Sequence, residues 1–100
     1  MNIKEEQMKT TPCIFVVCMT TYAESKIYPE YEGYGEWIDC NQSAEKIFEE
    51  IQKMIDYSPS NSPESEKWEI HDYNGWEGYE VKPNDSIENL ANLAQQILNY

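Results

Sequence analysis

Cys13-Ile14-Phe15-Val16-Val17-Cys18-Met19-Thr20 is an apolar run between Pro12 and a polar, tyrosine-rich stretch. Its β-branched and aromatic residues, and its length, read as a strand covered on both faces and therefore central in a sheet. Residues 21 to 33, with Pro29 and Gly33, read as a loop. Gly35-Glu36-Trp37-Ile38-Asp39-Cys40 reads as a second, shorter strand with one covered and one wet face. On the other side of the central run, residues 1 to 11 are polar, lack periodicity and are expected to fray.

Beyond the second strand the period changes. Ala44, Ile47, Phe48, Ile51, Met54 and Ile55 fall on one stripe at the helical repeat, Ser43 stands where a cap belongs, and Ser58-Pro59 ends the pattern. Residues 58 to 66 are a polar tether. Trp68-Glu69-Ile70-His71-Asp72-Tyr73 alternates as a half-buried strand, with Trp68 and Ile70 inward and Glu69, His71 and Tyr73 outward; Asn74-Gly75 ends it. Asp85 and Glu88 have capping-box spacing before a second helix with the stripe Ile87, Leu90, Ala91, Ala94, Ile97 and Leu98. The order β-β-α-β-α implies an α+β domain: a small antiparallel or mixed three-stranded sheet with two amphipathic helices packed on it. Residues 12–100 form a single domain behind the flexible segment 1–11 in this reading.

The charge is lopsided. Nineteen Asp and Glu stand against seven Lys and no Arg, for a net charge of −12 over 100 residues. Scattered lysines cannot neutralise a run of phosphates, which excludes direct nucleic-acid binding, and an anionic membrane would repel such a chain. No apolar stretch approaches membrane-spanning length, and the start, Met1-Asn2-Ile3-Lys4-Glu5-Glu6-Gln7, lacks the character of a secretory signal. Cys13, Cys18 and Cys40 are an odd number at no framework spacing, as expected of reduced thiols in a cytoplasm. The hydrophobic fraction of 40% and the abundant Trp and Tyr are those of a folded domain, not an acidic tail.

Catalytic and metal chemistry find little support. Cys13 and Cys18 are five apart on one strand and face opposite ways, which defeats a zinc site with His71 and Cys40. There is no calcium-binding loop and no glycine-rich phosphate loop. His71 and Asp72, as neighbours on a strand, are expected to point apart, and no activated nucleophile accompanies them. Among so many acids some pair always sits at a plausible glycosidase spacing, so that signal has no specificity. No catalytic residue, cofactor or metal is expected.

What stands out is the separation of acids from lysines. Between Ile27 and Glu45 lie Glu30, Glu32, Glu36, Asp39 and Glu45 with no lysine; between Trp68 and Val81 lie Glu69, Asp72, Glu77 and Glu80, again with none. Glu45, Glu49 and Asp56 form a stripe on the outer face of the first helix. A surface kept acidic only for solubility normally intersperses both signs. These tracts are instead studded with Tyr22, Tyr28, Tyr31, Tyr34, Trp37, Tyr73, Trp76 and Tyr79, as a binding face would be, although the same aromatics also serve as core or loop anchors. With about one charge per ~1.7 Å of duplex, twelve net charges correspond to about 20 Å of DNA and nineteen carboxylates to about 32 Å, close to the roughly 30 to 35 Å diameter of a domain this long. The composition permits imitation of DNA.

Gly35-Glu36-Trp37-Ile38-Asp39, the following helix, and Trp68-Glu69-Ile70-His71-Asp72-Tyr73-Asn74-Gly75-Trp76 resemble the ArdA antirestriction family, as does the opening Thr11-Pro12-Cys13-Ile14-Phe15-Val16. The resemblance covers residues 11 to 98, and the Ile-His-Asp-Tyr-x-Gly-aromatic string is its most distinctive part. It implies a phage or mobile-element protein acting in the bacterial cytoplasm as a non-enzymatic DNA mimic. Such a protein occupies the DNA-binding groove of type I restriction–modification enzymes. Its phosphate-mimicking candidates are Glu30, Glu32, Glu36, Asp39, Glu45, Glu49, Asp56, Glu69, Asp72, Glu77 and Glu80, selected because they lie outside the apolar faces. Family members are typically longer and dimerise, so the resemblance is to a shortened, N-terminal-domain-like member, with a homodimer left open. Two alternatives stand beside it: an anti-CRISPR mimic occupying the DNA site of a CRISPR effector, and a generic acidic protein-interaction module.

Overall fold

The computed structural model describes residues 11–59 and 67–98. The expected fraying of residues 1–10 and most of the tether at 60–66 lie outside the described residues. A three-stranded antiparallel sheet is ordered β2-β1-β3, with β1 (Cys13–Cys18) between β2 (Glu36–Asp39) and β3 (Trp68–Asn74). The helices are α1 (Met19–Glu24), α2 (Ala44–Asp56) and α3 (Ile87–Leu98), with a 3-10 turn at Pro29–Tyr31. The α+β class, the central first strand and the two amphipathic helices of the sequence reading are all present.

One face of the sheet carries the core. Ile14, Val16 and Cys18 of β1, Ile38 of β2 and Ile70 of β3 meet Ile47, Ile51, Met54 and Ile55 of α2 and Ile87, Leu90, Ala91 and Ala94 of α3, all buried. Ser43 caps α2, its Oγ accepting from the Lys46 amide at 3.1 Å, while Glu45 in the first turn and Lys53 in the last complement the helix dipole. Trp76 is buried after β3 and its Nε1 donates to the Cys13 carbonyl at 2.9 Å, which ties the 75–81 loop to the start of β1.

Several local expectations are corrected. The first strand stops at Cys18 rather than Thr20: Met19 and Thr20 instead open α1, which runs on into the stretch expected to be a loop. Tertiary contacts hold that short, uncapped helix: the buried Thr21 hydroxyl is hydrogen-bonded to Ser58 beyond α2, and the Met19 amide donates to the Lys67 carbonyl at 3.0 Å. The cap of α3 is Ser86, not Asp85; its Oγ accepts from the Asn89 amide at 3.2 Å and its carbonyl from Leu90 at 2.9 Å. Asp85 instead closes the preceding turn, accepting from the Lys82 amide at 3.2 Å and the Tyr79 hydroxyl at 2.9 Å. Phe48, expected in the buried stripe of α2, is 40% exposed. Nor is β1 fully covered on its second face, where Cys13 and Phe15 are only half-buried.

The largest departure lies in β3. Val16 pairs with Ile70, but the next residue of β1, Phe15, pairs with Asp72, so His71 is an inserted residue in a bulge. The insertion resets the alternation: Tyr73 returns to the row of Ile14 on the helix side instead of pointing outward, and Asp72 joins the row of Phe15 on the other face.

Candidate functional site

The face opposite α2 and α3 is built from rows that run across all three strands. Asp39, Cys13 and Asn74 form one row; Trp37, Phe15 and Asp72 form the next; Val17 and Glu69 follow. Directly opposed residues of an antiparallel pair point to the same side, so this register gathers Asp39, Asp72 and Glu69 around an aromatic centre. The Phe15 and Trp37 rings lie 5.4 Å apart, tilted by 51°, and Trp37 is 49% exposed. None of the three strands contains a lysine.

Close approach makes this surface possible. A Cβ on Gly35 would stand 2.6 Å from Phe15 Cζ and 2.7 Å from the Val16 carbonyl oxygen, so only glycine lets the Phe15 ring lie over the entry to β2. Each aspartate is oriented by local backbone: Asp39 Oδ1 accepts from the Asn41 amide and Asp72 Oδ1 from the Tyr73 amide, both at 2.8 Å. Their field reaches Cys13 between them. Burial, then Asp39, then Asp72 push the Cys13 thiol above its ordinary pKa, because each disfavours a thiolate there.

The bulge also changes the histidine. His71 and Asp72 were expected to point apart, yet Asp72 shares the row of Phe15 while His71 Nε2 lies 3.3 Å from Glu69 Oε1 on that same face. Tyr22 of α1 stands edge-on to the imidazole, with centroids 4.8 Å apart at 84°. The histidine therefore engages Glu69 and Tyr22. Cys18 faces the core and Cys13 the opposite side, and none of the three cysteines is in a disulfide. Among the described residues no cluster of His, Cys, Asp and Glu has the arrangement of a metal site.

The remaining candidate acids are dispersed. Glu30 and Glu32 lie on and just beyond the 3-10 turn. Glu36 pairs with Val16 and so faces the helix side, where it lines an open cleft of ≈ 390 Å³ with Tyr34, Glu49, Lys53 and Tyr57. Glu45, Glu49 and Asp56 are exposed on α2, Glu49 sharing that cleft with Glu36, and Lys46 lies 3.8 Å from Glu49. Glu77 and Glu80 belong to the loop that Trp76 pins to the Cys13 end of the sheet face, and Glu77 takes a left-handed backbone, φ 53°, between Gly75 and Gly78. All of the candidates are exposed save Glu69, which is half-buried. The structure thus unites Asp39, Glu69 and Asp72, with Glu77 and Glu80 at one end, and separates them from the α2 stripe.

A family model described as antirestriction protein (ArdA) matches residues 14–100. The chain belongs to the ArdA family. Its match begins at Ile14 of the central strand and runs through every later element, so the sheet face apart from Cys13 falls inside the ArdA region. No curated protein and no solved structure matches the chain. No helix among the described residues is long and apolar enough to cross a membrane. Sequence reasoning missed Phe15 and Gly35 as makers of this ArdA surface. The one signal was Gly35 itself, since a glycine at a strand often marks a close approach to the backbone.

Proposed function

We propose that this ArdA protein is a non-catalytic DNA mimic that acts in the bacterial cytoplasm by occupying the DNA-binding groove of a type I restriction–modification enzyme. The observation that carries the reading is the sheet face with no lysine on its strands, where register alone assembles Asp39, Glu69 and Asp72, while Trp76 ties the loop bearing Glu77 and Glu80 to the start of β1. Like charges held together cost folding free energy, and no lysine partner offsets them on the strands. A groove lined with Lys and Arg supplies the missing counter-charge. The body measures 44 × 31 × 21 Å, and a ~44 Å length of duplex carries about 26 charges. Nineteen carboxylates therefore match the phosphate density only in part, and affinity must draw on something besides charge.

Competition tests the proposal. A fluorescent duplex bearing the recognition site is bound to a type I methyltransferase, and the protein is titrated in at two salt concentrations. Displacement near stoichiometric amounts, weakening as salt rises, is the expected result. DNA that stays bound at large excess rejects the type I assignment, and the same titration against CRISPR effectors then decides whether a mimic of any kind remains.

A further inference from the structure

Of the three tryptophans, Trp76 is buried and hydrogen-bonded and Trp68 is half-buried, but Trp37, on the edge strand β2, exposes about half its surface on the face that carries Asp39 and Asp72. An indole left open costs solvation, and open aromatic side chains on a folded surface are characteristic of binding anchors. Here the anchor is stiffened from below: Phe15 packs against Trp37, and Gly35 lets Phe15 sit flush on the strand. Asp72 lies in the same row and Asp39 in the next. A flat cation satisfies both features together. A guanidinium can stack on an indole face while its N–H edge reaches carboxylates, whereas an ammonium is a compact, strongly hydrated charge without a stacking plane.

We propose that the Phe15–Trp37 face, framed by Asp39 and Asp72, docks an arginine side chain of the partner, with the guanidinium stacked on the Trp37 ring and its edge on the two carboxylates. The partner's identity as a DNA-binding enzyme rests on the reading above; the arginine preference rests on this surface alone. The face offers what a duplex does not, because duplex bases are stacked inward and their π-faces are hidden. The contact supplies binding that salt screens weakly, beside the carboxylate contacts that salt screens strongly.

The test uses the full chain and two labelled probes, hexa-arginine and hexa-lysine, read by fluorescence anisotropy. Hexa-arginine is expected to bind about tenfold tighter, and Trp37→Leu to remove most of that preference while Trp37→Tyr, which keeps a π-face, restores part of it. Unchanged urea midpoints confirm that both variants fold; a variant that loses its fold is replaced by Asp39→Asn with Asp72→Asn, which must weaken both probes. Equal affinity for the two peptides overturns the proposal. So does an arginine preference that survives Trp37→Leu, or a Trp37 already shielded from acrylamide in the free protein, which would mean that another part of the chain covers it. Displacement of DNA from the methyltransferase is measured on the same samples. Arginine preference without displacement keeps this inference and rejects the type I reading; displacement without arginine preference does the reverse.

Discussion

Replacing Gly35 by alanine adds one carbon at a place where the structure leaves no room for it. That Cβ would lie 2.6 Å from Phe15 Cζ, 2.9 Å from Phe15 Cε2 and 2.7 Å from the Val16 oxygen. Carbon atoms rest at about 3.5–4.0 Å, so the overlap with the ring is close to 1 Å. The ring could swing aside, but only by leaving Trp37, and the Val16 carbonyl is sheet backbone that moves only with β1. The cost is therefore that of overpacking a built site, about 2–3 kcal/mol, near the upper end of the usual range. For a domain of this size that corresponds to a fall in Tm of roughly 10–20 °C. Urea unfolding followed by tryptophan fluorescence measures it, with an unchanged m-value expected because the unfolded surface is the same. A Phe15→Leu background should recover part of the loss by removing the ring clash, leaving the backbone clash in place. If Gly35→Ala costs less than about 0.5 kcal/mol, Phe15 does not lie over Gly35. The β1–β2 register and the aromatic surface built on it would then be wrong together.

Asp39→Asn with Asp72→Asn should lower the Cys13 pKa, since both carboxylates oppose its thiolate; iodoacetamide labelling against pH reads this, as Cys18 and Cys40 are fully buried. Burial, followed by Asp39, Cys13 and Glu50, pushes the Cys40 thiol up to about 12 from an ordinary 9.0. The unfolded thiol ionises first, so its contribution is fully present below pH 9 and is lost as pH rises toward 12; Cys40→Ala should make the alkaline fall in stability shallower. Ser86→Ala should cost about 1 kcal/mol as the loss of a true cap, measured by urea denaturation; a negligible cost would return the cap to Asp85.

The elements that could be read from the sequence are those in which one period runs without interruption. In α2 Ile47, Ile51, Met54 and Ile55 bury as the spacing requires and only Phe48 departs, the stripe from Ile87 to Ala94 buries likewise, and Ser43 caps as its position implies. What escaped is held by contacts distant in sequence. Residues 19–24 contain two threonines and no cap, a poor helix by local preference, and they are helical because Thr21 reaches Ser58. In β3, strict alternation assigned Tyr73 to the outer face, but a single inserted residue at His71 reverses every side chain after it. That reversal also determined the candidate surface. Acids chosen because they avoided apolar faces were correctly placed outside the core, yet their grouping depends on register, so Glu36 turned to the helix side while Asp39, three residues on, joined Asp72.

The acids therefore occupy two layers, and the layers are unequal. Glu45, Glu49 and Asp56 on α2 share their helix with Lys46 and Lys53, and Lys46 already lies beside Glu49. Asp39, Glu69 and Asp72 on the sheet have no lysine on any strand. An inhibitor lying in an open groove needs only one layer, and the denser one is the sheet. An inhibitor enclosed by a channel that wraps DNA would engage both layers. Two triple variants separate these geometries: Asp39→Asn, Glu69→Gln and Asp72→Asn against Glu45→Gln, Glu49→Gln and Asp56→Asn, each titrated against enzyme-bound DNA over a range of salt. Each lost charge contact should lower the salt slope by less than the ~0.9 that a phosphate contact contributes, because carboxylates on a protein lack a condensed counterion sheath. The sheet triple is expected to flatten the slope distinctly and the helix triple slightly. Equal flattening would mean that the target closes around both layers, and a larger effect from the helix triple would remove the sheet from the interface.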